Sequence, residues 1–200
     1  LVRDFGPESG AITLAEVYEV RDLGVIGIGI GGSEQDFPPE PYEELYHRSR
    51  ELGFHTSAHA GEVAGAQSVW GAVRNLKTER IGHGTHAIED PALLDYLAEH
   101  QIPIEMCPLS NVCTGSVNAI EEHPVRDFFD RGLLVTVNTD DPKMFNNTLV
   151  DEYFALEKTF GFSRSEIQTL ILNAIRASWQ SEKKKDQMLV DFQNDPGWRF

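Results

Sequence analysis

The chain is poor in cysteine, in basic residues and in long apolar runs. Cys107 and Cys113 are its only cysteines, six apart and without a CxxC pair. That excludes a disulfide framework and makes a reducing cytoplasm the expected compartment. Lys and Arg number 17 against 32 Asp and Glu, a formal charge of −15 over 200 residues. So acidic a surface argues against nucleic acid or an anionic membrane as partner, although a pocket for a small molecule can differ from the average surface. No apolar run approaches the ~18 residues that a membrane span needs. There is no initial Met and no secretory pattern in LVRDFGPESG, and the chain reads as part of a longer protein.

Five apolar, strand-like runs recur at VIGIGI (25–30), FHTSAHA (54–60), RIGHG (80–84), IPIEMCPL (102–109) and LLVTVNT (133–139). Helical patterns separate them: 39–52, 63–76, a segment opened by Asp90-Pro91, and 123–132 closed by Gly132. After the last strand a Ser163–Glu166 capping box opens another helix, and an amphipathic C-terminal segment follows. Alternation of this kind implies parallel βαβ units, either in an open doubly wound sheet or in a (β/α)8 barrel. GIGIGG (27–32) superficially resembles GxGxxG, but Gly27, Gly29 and Gly31 alternate along a strand, so no dinucleotide site is expected there.

The barrel is the better reading. Each run ends in residues capable of chemistry: Gly31-Gly32-Ser33-Glu34, His59 with Glu62, His83 with His86, Ser110-Asn111, and Asp140-Asp141. Barrel active sites are assembled from the C-terminal ends of several strands. A whole barrel takes ~250 residues, so the chain is expected to hold about the last five βα units of a partial TIM barrel, one domain over 1–200, with the early units upstream of residue 1. Imidazoles and carboxylates meeting at a barrel mouth suit a divalent cation, which would offset the repulsion between adjacent Asp140 and Asp141. Each residue also has a plainer reading. His59 could be a core histidine, Glu62 could serve a helix N-terminus, and Asp140 or Asp141 before Pro142 could cap a helix. Ser110-Asn111 reads as turn chemistry, His47, His100 and His123 as surface residues, and both cysteines as small buried hydrophobes.

HAGE (59–62), RIGHG (80–84) and VNTDDPKMF (137–145), in this order and spacing, together with GIGIGGSE (27–34) and CPLSNVCTG (107–115), resemble the adenosine deaminase family of zinc-dependent purine deaminases. The resemblance implies a (β/α)8 fold and hydrolytic deamination of adenosine to inosine and ammonia in purine salvage. It implies His59 and Asp140 as zinc ligands and Glu62 as the acid that protonates purine N1. His83 would orient the attacking water and assist its deprotonation. Asp141 would accept a hydrogen bond on the N7 side, and the Gly32 N–H would face N3. The family's HxH pair of zinc ligands is absent from the chain, and two further His ligands are expected upstream. The 200-residue piece alone is expected neither to hold zinc tightly nor to turn over. Adenine or a modified adenosine such as aminodeoxyfutalosine are alternative substrates, with the 31–42 loop as the covering segment that would set the choice. A two-His-one-carboxylate iron site built from His59, His83 and Asp140 and a non-catalytic purine-binding paralogue are the other readings.

Overall fold

The structure, a computed structural model, describes residues 1–198. It opens with a helix that the sequence reading did not anticipate, α1 (Gly6–Glu19). Five βα units follow. Strand β1 (Gly27–Ile30) leads through the 31–42 loop to α2 (Glu43–Glu51). Strand β2 (His55–Ala60) is followed by α3 (Ala66–Gly71), and β3 (Arg80–His83) by α4 (Pro91–His100). Strand β4 (Ile104–Met106) leads to α5 (Pro108–Thr114) and α6 (Val125–Asp130). Strand β5 (Val135–Val137) is followed by α7 (Pro142–Phe145), α8 (Leu149–Phe160), α9 (Arg164–Ala177) and α10 (Glu182–Asn194).

The strands are all parallel and pair in chain order, β1-β2-β3-β4-β5. That order is the barrel's. A doubly wound sheet reverses direction at a switch point, and none occurs here among the described residues. An isolated parallel bridge, Val2 to Gly31, lays the N-terminal segment beside the end of β1. The glycines of GIGIGG serve this packing. A Cβ on Gly27 would lie 2.7 Å from the His55 carbonyl oxygen, and one on Gly29 would lie 2.9 Å from Ser57 Oγ.

In a parallel pair, residues in register point to the same face. One row across the sheet is therefore His59, Gly82, Glu105 and Thr136. The adjacent row, Ala58, Ile81, Ile104 and Val135, is buried against the helices. Leu93, Leu94 and Leu97 of α4 are almost wholly inaccessible in the same core, where truncation to Ala costs about 2–5 kcal/mol.

The expected caps are present. The Asp90 carboxylate accepts the N–H groups of Ala92 and Leu93, and Ser163 and Glu166 form a reciprocal box. No helix among the described residues is long and apolar enough to cross a membrane.

Candidate active site

The strand ends adopt unusual backbone. Five non-glycine residues among those described have positive φ. Lys77, Gln101 and Asn146 close helical segments, where the left-handed conformation is ordinary. The other two are His83 (φ +66°), at the end of β3, and Asp140 (φ +58°), just beyond β5. Non-glycine residues enter this region at some cost in strain, which clusters at functional sites.

His59 and His83 meet edge to face, ring centroids 4.7 Å apart. Gly82 makes room for this: a Cβ there would sit 3.1 Å from His59 Cδ2. One carboxylate oxygen, Glu62 Oε2, lies 3.4 Å from His83 Nε2 and 4.0 Å from His59 Nδ1. Across the mouth, Asp140 Oδ2 accepts a 2.7 Å hydrogen bond from Ser110 Oγ. His59, His83, Cys107 and Asp140 line a cavity of about 680 Å³ whose apolar wall includes Leu149 and Ile175. That volume is ample for a small organic substrate.

The turn that presents Glu62 is built around a strand-end residue to which the sequence reading gave no role. Glu34, at the start of the 31–42 loop, is buried. Its Oε2 accepts the backbone N–H groups of Glu62, Val63 and Ala64 at 3.0, 2.9 and 3.2 Å. Its Oε1 accepts Gly61 N–H and the Ser68 hydroxyl. Burial pushes the Glu34 pKa up, but the Ser68 hydroxyl and the backbone donors more than offset it and hold the carboxyl below its ordinary value. The loop expected to cover substrate is also tied down from the side. The buried Arg3 guanidinium donates to Phe37 O at 2.8 Å and to His59 O at 2.6 Å.

Among the protein's own groups, burial pushes the Glu62 carboxyl up; His59 opposes this, and Asp140 and Glu34 reinforce it. Burial lowers His59, and the neighbouring His83 lowers it further. His83 is lowered by burial against the opposing charges of Asp140 and Glu34. The two imidazoles are thus biased to the neutral form and the carboxyl toward the protonated one.

Three plain expectations need correction. Ser110 and Asn111 are not turn residues. They are fully buried on α5, which starts at Pro108 because proline is tolerated in a first helical turn. His123 is not a surface residue: it is 3% exposed, and its Nε2 lies 3.1 Å from Asn111 Oδ1. Asn111 Nδ2 in turn lies 3.1 Å from His83 Nδ1. Cys113 is exposed, and only Cys107 is the small buried residue expected. A further unforeseen group is Glu152 of α8, buried and pushed up to about 7 by desolvation. It accepts Leu109 N–H at 3.2 Å and Asn147 Nδ2 at 2.7 Å, while Asn147 also donates to Thr139 O at 3.1 Å. It thereby ties the first turn of α5 to the backbone that precedes Asp140.

Of the six residues singled out from the sequence, the structure gathers four: His59, Glu62, His83 and Asp140. Asp141 is exposed and engaged as the N-cap of α7, accepting Lys143 and Met144 N–H at 3.1 Å each. Gly32 has φ +109°, and a Cβ there would collide with the Asp4 carboxylate at 2.1 Å. This accounts for glycine at that position without a ligand, and neither residue lines the cavity.

The donor set fits a divalent cation. Ligand atoms of His59, Glu62 and His83 lie within 4.8 Å of one another, as do those of His83, Cys107 and Asp140. Imidazole with carboxylate suits zinc. Cys107 is the weak member, because burial first and then the surrounding carboxylates raise its thiol far above the ordinary value, and thiolate is the ligating form.

The adenosine deaminase family model matches residues 1–194 of the chain. An adenosine deaminase of Klebsiella pneumoniae (strain 342) is 39% identical over 189 residues, 94% of this chain and 56% of that protein. An adenine deaminase of Chlorobium phaeobacteroides (strain BS1) is 38% identical over 190 residues, 95% of this chain and 56% of that protein. An aminodeoxyfutalosine deaminase of Streptomyces avermitilis is 39% identical over 180 residues, 90% and 50% of the two chains. The crystal structure of an adenine deaminase from Arthrobacter aurescens superposes with a TM-score of 0.92 at 35% identity, covering 96% of this chain and 58% of that one. An amidohydrolase from Burkholderia ambifaria, solved with bound zinc, gives 0.90 at 28% identity, covering 96% and 54%. The chain spans about half the length of the curated relatives it matches.

Proposed function

The chain belongs to the adenosine deaminase family, and on that premise we propose that the protein containing it hydrolyses the 6-amino group from an adenine-containing compound, adenosine first among them. The observation that carries the reading is the placement of Glu62 Oε2 between His83 Nε2 and His59 Nδ1, at 3.4 and 4.0 Å, beside a cavity of about 680 Å³.

His59 and Asp140 are the residues of this chain proposed to hold zinc. Bound zinc supplies a Lewis acid that makes water a competent nucleophile near neutral pH. Ser110 Oγ occupies one Asp140 oxygen and orients the other, as partners behind a metal ligand commonly do. His83 is proposed to face the attacking oxygen and not the metal, because its Nδ1 is taken by Asn111 and its Nε2 faces Glu62. The same contacts count against a two-His-one-carboxylate iron site that would need both imidazoles.

Glu62 is the proposed proton carrier. Its proton goes to purine N1 as water oxygen bonds to C6, so the electron pair displaced from C6=N1 is neutralised where it arrives. The carboxylate so formed takes the proton released by the water. The C6–N6 bond then breaks, ammonia leaves with a proton from the new hydroxyl, and the 6-oxo product remains. Among the protein's own groups, burial, with Asp140 and Glu34, favours the protonated form of Glu62, and a bound cation acts in the opposite direction. Asp141 and the Gly32 N–H are proposed to contact the N7 side and N3 of the base, with Asp141 leaving its cap to do so.

Relatives with adenosine, adenine and aminodeoxyfutalosine in their names match at 38–39% identity, so the substrate panel must contain all three kinds. Ammonia release by the full-length, zinc-loaded gene product is measured with adenosine, adenine and a 5′-modified adenosine. Release that disappears in Glu62→Gln supports the reaction and the proton carrier together. No ammonia from any of them, with zinc bound, overturns the reading.

A further inference from the structure

His83 ends a chain of three buried side chains, with Asn111 and His123 behind it, whose hydrogen-bond direction is fixed at the far end by the backbone. Val125 N–H bonds to His123 Nδ1 at 3.2 Å. A backbone amide can only donate, so His123 Nδ1 is the bare nitrogen and its proton sits on Nε2. His123 Nε2 faces Asn111 Oδ1 at 3.1 Å, so that bond runs from His123 to the amide oxygen. The orientation of the Asn111 amide, otherwise ambiguous, is thereby settled. Its Nδ2 carries two protons, one directed at His83 Nδ1 (3.1 Å) and the other at Ser116 Oγ (3.2 Å). His83 Nδ1 must therefore accept, and in a neutral imidazole the remaining proton is on Nε2, the atom that faces Glu62 Oε2 at 3.4 Å.

We propose that His123 and Asn111 are positioning residues that lock His83 as the Nε2–H tautomer, so that His83 acts in the reaction as a hydrogen-bond donor to the oxygen adding at C6 and not as the base that takes the water's proton. This rests on the deaminase reading above and deepens it. With Nε2 already protonated and Nδ1 blocked by an amide donor, His83 has no free lone pair for a proton, and the proton released by water goes to Glu62. The lock is buried throughout: His83 is 2% exposed, Asn111 0% and His123 3%. Water therefore cannot easily substitute for a lost partner, and a buried donor or acceptor left alone is costly.

The test reverses one bond without changing shape. Asn111→Asp keeps the acceptor for His123 but turns the donor facing His83 into an acceptor. The full-length, zinc-loaded protein is labelled with 15N-histidine, and long-range 1H–15N correlations report which ring nitrogen of His83 carries the proton, with His83→Gln assigning the signal. Expected are a bare Nδ1 and protonated Nε2 in the wild type, and a protonated Nδ1 in Asn111→Asp. With zinc content unchanged, kcat in that variant should fall by about 100-fold or more, the scale of a lost oxyanion donor, and KM should stay within about threefold. If Asn111→Asp does not fold, as judged by circular dichroism, His123→Gln, which keeps an N–H for Asn111, should preserve the tautomer and retain most of kcat, whereas His123→Leu should not. Wild-type His83 protonated on Nδ1, or a folded Asn111→Asp with kcat unchanged, would overturn the proposal. The spectrum reports on the lock even where no purine releases ammonia, so a failure of the deaminase reading remains separate from a failure of the relay.

Discussion

Glu34 holds Glu62 by its backbone: Glu34 Oε2 accepts the Glu62 N–H at 3.0 Å, while the Glu62 side chain turns away toward His83 Nε2 at 3.4 Å. One buried carboxylate thus folds the turn that aims another. The donors gathered on Glu34, four backbone N–H groups and one hydroxyl, are the arrangement that lets an anion remain ionised inside a protein.

Glu34→Gln puts an amide donor among groups that are themselves donors. The expected result is a loss of roughly 2–4 kcal/mol in urea-unfolding stability and a fall in kcat larger than any change in KM, because Glu62 is displaced and not removed. Glu34→Gln with wild-type kcat would show that the turn holds its shape without the anion.

Zinc analysis separates ligands from neighbours. His59→Ala and Asp140→Asn in the full-length protein should each lower bound zinc well below one per chain, whereas Cys107→Ser and Asp141→Asn should leave it unchanged. Loss of zinc in Cys107→Ser would move the ligand set toward the His83, Cys107 and Asp140 group.

His123 supplies a pH dependence with a definite sign. Burial, then the neighbouring His83, lowers its pKa from the ordinary 6.5 to about 3. Between those values the unfolded chain binds a proton that the folded chain refuses. The contribution to stability is therefore complete above pH 6.5 and is lost as pH falls toward 3, at most about 5 kcal/mol. Unfolding free energy measured from pH 7 to 4 should fall less steeply in His123→Gln than in the wild type. Parallel slopes would place the acid sensitivity elsewhere.

Gly61 is the hinge of the HAGE turn, with φ +70° and a hypothetical Cβ 2.5 Å from Val69 Cγ2. Gly61→Ala should cost on the order of 1–3 kcal/mol and reduce kcat by shifting Glu62. Gly53→Ala, equally positive in φ but with no atom within 4 Å of the added carbon, should cost stability alone.

Much of this was readable along the chain. The β-branched runs and their caps located the five strands, and the reactive types at the strand ends marked His59, Glu62, His83 and Asp140. Some boundaries shifted for local reasons. Pro108 ended the fourth strand early and opened α5, and the helix after β2 finished in a wider turn over Ala72–Leu76. What pattern could not show was which polar residues lie behind the site. Glu34 sat in a loop rich in turn residues, and His123 stood before a proline at a helix start. Both look solvated by local rules.

By itself the sequence determined the alternation of strand and helix and the order in which chemical groups reach the barrel mouth, because periodicity and caps are local properties of the backbone. The tertiary structure decided what those groups can do. Parallel registration brought His59 over Gly82, closure of the 31–42 loop delivered Glu34 beneath the Glu62 turn, and packing of the segment before α6 buried His123 behind Asn111. Residues 27 to 30 or 12 to 28 positions apart came within hydrogen-bond distance, and in an interior that excludes water each such contact sets a charge or a tautomer that no local pattern encodes.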